Sequence, residues 1–174
     1  MSSFRVYIGW DSREDIAYQV ARHSLLKHAS IPVDVIPIKL PDLVDQGLYT
    51  REIDPLASTE FTYSRFLTPH MAGFEGWALF VDCDFLFFGD VAELAAYQKP
   101  EYAVACVKHD YTPKESTKMD GQVQTVYPRK NWSSFMLFNC AHPSTKKLTV
   151  EAVNSQTGAY LHRMQWAADD EIGE

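Results

Sequence analysis

Asp82 and Asp84 stand two residues apart in the most apolar stretch of the chain, Trp77 to Phe88, WALFVDCDFLFF. In an extended chain, side chains two apart share a face, so the two carboxylates are expected to project together while Cys83 points the other way. Two ionised carboxylates on a buried strand are costly, because each raises the other's pKa and both lose water. A divalent cation resolves that cost. Hard oxygen ligands suit Mg2+, Mn2+ or Ca2+, and an ion of the Mg2+ type takes one or two carboxylates and completes its shell with substrate phosphates and water. The plainer alternative is a strand end whose carboxylates accept hydrogen bonds from loop amides. An EF-hand does not fit, since Leu86 and Phe87 stand where that loop needs an oxygen ligand and a glycine.

The elements that must position this pair follow from periodicity. Phe4 to Ile8 is a short apolar run stopped by Gly9, which predicts a buried strand. Asp11 with Glu14 matches a capping box, and Ile16, Ala17, Val20, Ala21, Ser24, Leu25 and His28 recur at helical spacing. Val33 to Ile38 predicts a second strand, and strand, helix, strand in this length is the right-handed βαβ unit of a parallel sheet. Lys39 to Ser58 reads as irregular, a long connection of the kind that covers sites. Glu60 to Met71 has helical spacing that Pro69 should kink or end. Trp77 to Phe88 reads as a central strand, with the carboxylates toward its carboxyl end, where open α/β sheets bind ligands. Asp90 and Glu93 match a second capping box, for a helix through Tyr97. Tyr102 to Val107 and Phe135 to Phe138 are further strands, with a short β-rich segment, Gln122 to Tyr127, between them. Helices are expected over Ser144 to Asn154 and Tyr160 to Ala168.

The 174 residues suggest one domain, and hydrophobic residues at 46% with aromatics at 13% supply a sizeable core. Sixteen Lys plus Arg against 23 Asp plus Glu give a net charge of −7, without a basic stripe, which argues against a nucleic-acid partner. Cys83, Cys106 and Cys140 are odd in number, far apart and each in an apolar run, the pattern of buried free thiols in a reducing compartment. No apolar stretch approaches the roughly 18 residues of a spanning helix, and the N-terminus lacks a signal-peptide pattern. A cytoplasmic protein is expected, with peripheral membrane contact left open.

At this point the residues resemble a known family. FVDCDFLF, preceded by TYSRFLTP and by an opening strand ending in IGWD, resembles the GT-A fold nucleotide-sugar glycosyltransferases, most nearly glycosyltransferase family 8, from about Phe4 to Glu174. The resemblance implies an α/β, Rossmann-like domain with a mainly parallel sheet flanked by helices. It implies that Asp82 and Asp84 hold Mn2+ or Mg2+ against the donor diphosphate. Ile8, Gly9, Trp10 and Asp11 match the turn that touches the donor base and ribose, with helix capping as the simpler role of Asp11. Arg65 matches an arginine near the donor phosphates or the metal aspartates, and Tyr63 and Cys83 fall on donor-side segments. WSSFMLFNC, Trp132 to Cys140, lines up with a strand whose early small residues lie near the sugar, here Ser133 and Ser134, with Trp132 in place of an asparagine. AADDEIG resembles the family's acidic segment, which places Asp169 and Asp170 in a catalytic role, against the simpler reading of an exposed helix start.

The family also carries a later histidine motif that supplies a third metal ligand, and the chain has no match to it before Glu174, which reads as a missing C-terminal portion. The function expected is metal-dependent transfer of a sugar from a nucleoside diphosphate sugar, UDP-linked by resemblance and with retention, to a sugar, lipid or protein acceptor that the sequence does not specify. A non-catalytic module binding nucleotide sugar or carbohydrate is the alternative. A haloacid dehalogenase-like phosphatase is a further one, although its DxD belongs on the first strand and is followed by different residues.

Overall fold

The computed structural model describes residues 3–53, 57–109 and 130–174. Six strands form one sheet in the order β2-β1-β3-β5-β4-β6. They are β1 Phe4–Gly9, β2 Val33–Ile38, β3 Trp77–Val81, β4 Val104–His109, β5 Lys130–Asn139 and β6 Ile172–Gly173. The pairings make β5 the only described strand that runs against the others, so the sheet is mainly parallel. The apolar runs of β1 and β3 are buried on both faces, as the centre of such a sheet requires.

Between β1 and β2 runs α1, Asp15–His28. Its buried residues are Tyr18, Ala21, Ser24 and Leu25, whereas Ile16 and Val20 are exposed, so the buried stripe is rotated from the expected one. The capping box does not form. Glu14 takes the N-cap position with no side-chain bond to the helix. The irregular stretch after β2 contains a short helix, α2 Leu40–Asp45, with Pro41 in its first turn, where the missing N–H costs nothing. The expected helix before β3 is split into a 3-10 turn, Ser64–Leu67, and α3, Thr68–Met71, whose first turn holds Pro69.

β3 ends at Val81, well short of Phe88. Residues 83–90 leave the sheet and run along α1: the Cys83 thiol meets Glu14 at 3.4 Å, the Phe87 amide donates to Ser24 Oγ at 3.0 Å, and the Ser30 amide donates to Asp90 at 3.1 Å. Asp90 also accepts from the Ala92 amide and caps a 3-10 helix, Val91–Tyr97, where an α-helix was expected. Toward the C-terminus, each expected helix is shorter. Thr149 caps α4, Val150–Ser155, and Thr157 caps α5, Gly158–His162. β5 extends well beyond Phe135 to Phe138, and β6 has no sequence precedent in the expected elements. The segment Gln122 to Tyr127 lies outside the described residues.

All three cysteines are free and buried, and burial pushes their thiols up, to about 12 for Cys83 and Cys140 and about 11 for Cys106. Among the described residues no helix is long and apolar enough to cross a membrane.

Candidate donor-binding site

The strand order creates the site. β1 is followed in space by β2 on one side and by β3 on the other, so the chain reverses its winding between β1 and β3, and a crevice opens beyond their carboxyl ends. Ile8 pairs with Val81 across that boundary, which brings Gly9, Trp10 and Asp11 next to Asp82 and Asp84. Gly9 is required there, because a Cβ at this position would stand 2.5 Å from the ring of Phe61.

Arg65 lies beneath Asp82. The guanidinium is buried, 5.2 Å from the ring centroids of both Phe61 and Phe80, and its Nη1 donates to Asp82 Oδ1 at 2.8 Å and to the Ser133 carbonyl at 2.9 Å. Nε adds a bond to the Phe61 carbonyl at 3.3 Å. Burial lowers the Arg65 pKa, with Asp82 opposing. Burial also pushes Asp82 up to about 6 against the pull of Arg65, and Asp84 adds to the rise. Both members of the pair are shifted toward their neutral forms, so loss of water outweighs their attraction.

Asp82, Cys83 and Asp84 do not lie on a strand. A turn at Cys83 and Asp84 follows β3, so the expected alternation of strand faces does not orient them. The outcome is nonetheless similar: Cys83 is drawn inward by α1, Asp82 is partly exposed and Asp84 is exposed. Asp84 has no hydrogen bond or ion pair among the described residues, and Oδ2 of Asp82 is likewise unengaged. These oxygens fit a hard divalent cation. No cluster of three or more His, Cys, Asp or Glu side chains suited to a metal forms among the described residues, so further ligands would come from phosphate and water.

Asp11 does not cap α1, whose N-cap is Glu14. Its buried carboxylate accepts from the Arg13 amide at 3.0 Å, Nε at 2.9 Å and Nη2 at 2.7 Å, and from the Glu60 amide at 3.1 Å. The Arg13 side chain beside it holds its carboxyl far below the usual carboxylate range. Four bonds use its lone pairs, and they pin the turn after β1 to the segment before Arg65. Trp10 donates through Nε1 to Asp15 at 2.8 Å and carries Lys39 over its ring. Next to this turn a cleft of about 260 Å³ is lined by Arg13, Leu40, Tyr49, Glu60, Thr62 and Tyr63.

Ser133 and Ser134 are also brought in: the Asp82 amide donates to the Ser134 carbonyl at 3.0 Å. His162, which sequence spacing did not single out, lies with its Nδ1 2.9 Å from Ser133 Oγ. Asp169 and Asp170 are not brought in. Ala78, Phe138, Val104 and Ile172 form one row across the sheet. Asp82 lies four residues beyond that row, about 13 Å at 3.3 Å per residue, whereas Asp169 and Asp170 precede it and are exposed. The acidic segment therefore adjoins the opposite end of the sheet.

No family model matches the chain. It is 61% identical over 170 residues to Protein CDI of Arabidopsis thaliana, a match covering 98% of this chain and 66% of that protein, so the chain spans just under two thirds of its curated relative. Among solved structures, the glycosyltransferase GlyE of Streptococcus pneumoniae superimposes with a TM-score of 0.61 at 14% identity, over 99% of this chain and 45% of GlyE. The bifunctional glycosyltransferase WbbM gives 0.60 at 17% identity, over 95% of this chain and 35% of WbbM. The fold is that of the GT-A-like glycosyltransferases.

Proposed function

We propose that this chain is the donor-binding part of a glycosyltransferase that moves a sugar from a nucleoside diphosphate sugar to a sugar, lipid or protein acceptor, with Mn2+ or Mg2+ held by Asp82 and Asp84. The resemblance to glycosyltransferase family 8 supports a UDP-sugar as the donor and retention as the outcome. The observation that carries the reading is the position of Asp82 and Asp84, with oxygens unengaged, at the switch point between β1 and β3 and directly above the buried Arg65.

When bound, the cation supplies electrostatic stabilisation of the charge that develops on the leaving diphosphate. The chain's own residues do the rest. Arg65 orients Asp82 and adds fixed positive charge beneath it. The Asp11–Arg13 pair fixes the turn against which the nucleoside rests, and Tyr63 forms a wall of the adjoining cleft. The buried reduced thiols support a cytoplasmic setting. A module that binds nucleotide sugar without transferring it is favoured by one observation, that among the described residues only two carboxylates are assembled for the metal.

Calorimetric titration of UDP with and without Mn2+ tests the reading. UDP is expected to bind only with the ion, and Asp82→Ala or Asp84→Ala should abolish the ion-dependent part. Equal affinity with and without Mn2+ would overturn the metal-bridged site, and sugar release or transfer from UDP-sugar separates an enzyme from a binding module.

A further inference from the structure

The strap that follows Asp84 borders a cluster of exposed apolar side chains. It runs alongside α1, with the Phe87 amide donating to Ser24 Oγ at 3.0 Å and the Ser30 amide to Asp90 at 3.1 Å. Phe85 and Phe87 pack on the core, so Leu86 and Phe88 turn away from it, and Phe88 is 81% exposed. On the helix, Val20 and Ile16 stand one and two turns before Ser24 in the same row, and Ile16 is 75% exposed. His23 and Lys27 continue this outer stripe at helical spacing and are exposed as well. With Leu26 and Ile31, six of the eleven exposed large hydrophobic side chains among the described residues lie on α1, its exit turn and the strap. Single apolar residues are ordinary on a surface, whereas a cluster marks a contact.

The charge of this face runs against that of the chain. From Ile16 to Val33 there are Arg22, His23, Lys27 and His28 and no carboxylate, and Phe85 to Gly89 carries no charge, in a chain with 23 Asp plus Glu. Carboxylates at the border have partners: Glu14 accepts from the Cys83 thiol, Asp15 from Trp10 Nε1, and Asp90 from the Ser30 and Ala92 amides. A net charge of −7 repels the molecule from an anionic surface at long range. Salt screens that repulsion beyond about 8 Å at physiological ionic strength, so the face that makes contact decides the outcome.

We propose that the α1–strap face docks on an anionic phospholipid membrane, with Ile16, Val20, Leu86 and Phe88 entering the boundary between headgroups and acyl chains and Lys27 meeting the phosphates. A helix lying in the interface with apolar and basic side chains is the arrangement such membranes hold. A protein partner would need pockets matched to the projecting Phe88 and Ile16, whereas a bilayer yields to their shape. The surface goes beyond the donor-binding reading and does not depend on it. Asp84 lies two residues before Leu86, about 7 Å along an extended chain, so docking holds the candidate donor site near the membrane.

Co-sedimentation of the 174-residue chain with vesicles tests this, using phosphatidylcholine alone and phosphatidylcholine mixed with phosphatidylserine. The parent should pellet with the mixed vesicles, remain in solution with phosphatidylcholine alone, and be released by high salt. Leu86→Ser combined with Phe88→Ser should weaken the mixed-vesicle affinity at least 10-fold, and Lys27→Glu about 5-fold or more. Ile16→Gln, on the helix, should act in the same direction and keeps the test decisive if the strap variant fails to fold. Lys146→Glu, exposed beside Thr145 on the β4 side of the sheet, should change nothing. No pelleting with mixed vesicles, equal pelleting with both kinds, or affinity untouched by the variants would overturn the proposal. So would a dimer by light scattering that Phe88→Ser returns to monomer, since the face would then belong to a second copy of the chain. Titration of UDP with Mn2+ in the absence of vesicles judges the donor site separately, so either reading can fail without the other.

Discussion

At the carboxyl end of β3, Asp82 stands on a buried guanidinium framed by two phenylalanine rings, and Asp84 points to solvent beside it. At the other end of the sheet, Asp169 and Asp170 are exposed ahead of β6, and among the described residues the engaged member of that acidic run is Glu171, accepting from Ser144 Oγ at 2.7 Å and from the Ala168 amide at 2.9 Å. The two runs look alike as sequence, each with acidic residues next to an apolar segment. Strand order separates them: one adjoins the crevice where the winding reverses, and the other adjoins an edge, where a carboxylate serves as a clamp on the backbone.

The sharpest way to break this contrast is at Arg65. Arg65→Ala should destabilise the fold by about 3 to 5 kcal/mol, as removal of one partner of a buried pair does, and weaken UDP more than uridine. Denaturant unfolding and paired titrations read both effects, and equal losses for UDP and uridine would assign Arg65 to the fold alone. A pH series on Asp82→Asn is expected to show the next effect. The Asp82 carboxyl is raised from 3.8 to about 6, so between those values the folded state binds more protons than the unfolded one and stability falls as pH rises. Asp82→Asn should remove that fall, on the order of 2 to 3 kcal/mol. His162 titrates with the opposite slope over part of the same range, so the informative quantity is parent minus variant, and a difference independent of pH would show that Asp82 is not raised.

Gly9→Ala tests the packing that holds the site together. The added methyl meets the Phe61 ring that shields Arg65, and overpacking of this kind costs about 2 kcal/mol, to be read as a lowered melting temperature with weaker UDP binding. At the far end, Asp169→Ala and Asp170→Ala should stay within about 0.5 kcal/mol of the parent and leave metal-dependent UDP affinity unchanged. A large loss of affinity there would show that the acidic segment reaches the donor after all.

The strands β1 and β2 were legible because short, mostly apolar runs between polar turns, broken here only by Arg5 and Asp34, have few other uses. The end of β3 was not, because Phe85 to Phe88 continue the apolar alternation outside the sheet: Phe85 and Phe87 pack on the core while Leu86 and Phe88 face solvent along α1. The same strap explains the misplaced stripe on α1, whose buried face is set by a segment sixty residues later rather than by local periodicity. Asp82, Asp84 and Arg65 could be picked out from residue type and order. His162 could not, since its partner Ser133 lies 29 residues earlier and nothing in the sequence around the histidine points to that strand. Asp11 was noticed for the wrong reason: a carboxylate after a strand suggests a cap, and only the fold shows that Arg13 and Glu60 use its oxygens.

The latch between Asn154 and the 48–51 segment bears on how the domain is made. Asn154 accepts from the amides of Thr50 and Arg51 and donates to the Leu48 carbonyl, and Arg51 reaches the Val153 and Gln156 carbonyls at 2.8 Å each. These bonds join positions 104 residues apart in the case of Thr50. Contacts so distant along the chain repay their loop-closure entropy late. During synthesis, at roughly 5 to 20 residues per second, about 5 to 20 s pass between the appearance of Thr50 and that of Asn154. For that interval the segment leading to Tyr63 has no α4 to anchor it, and the nascent chain cannot complete the cleft before its last helices emerge.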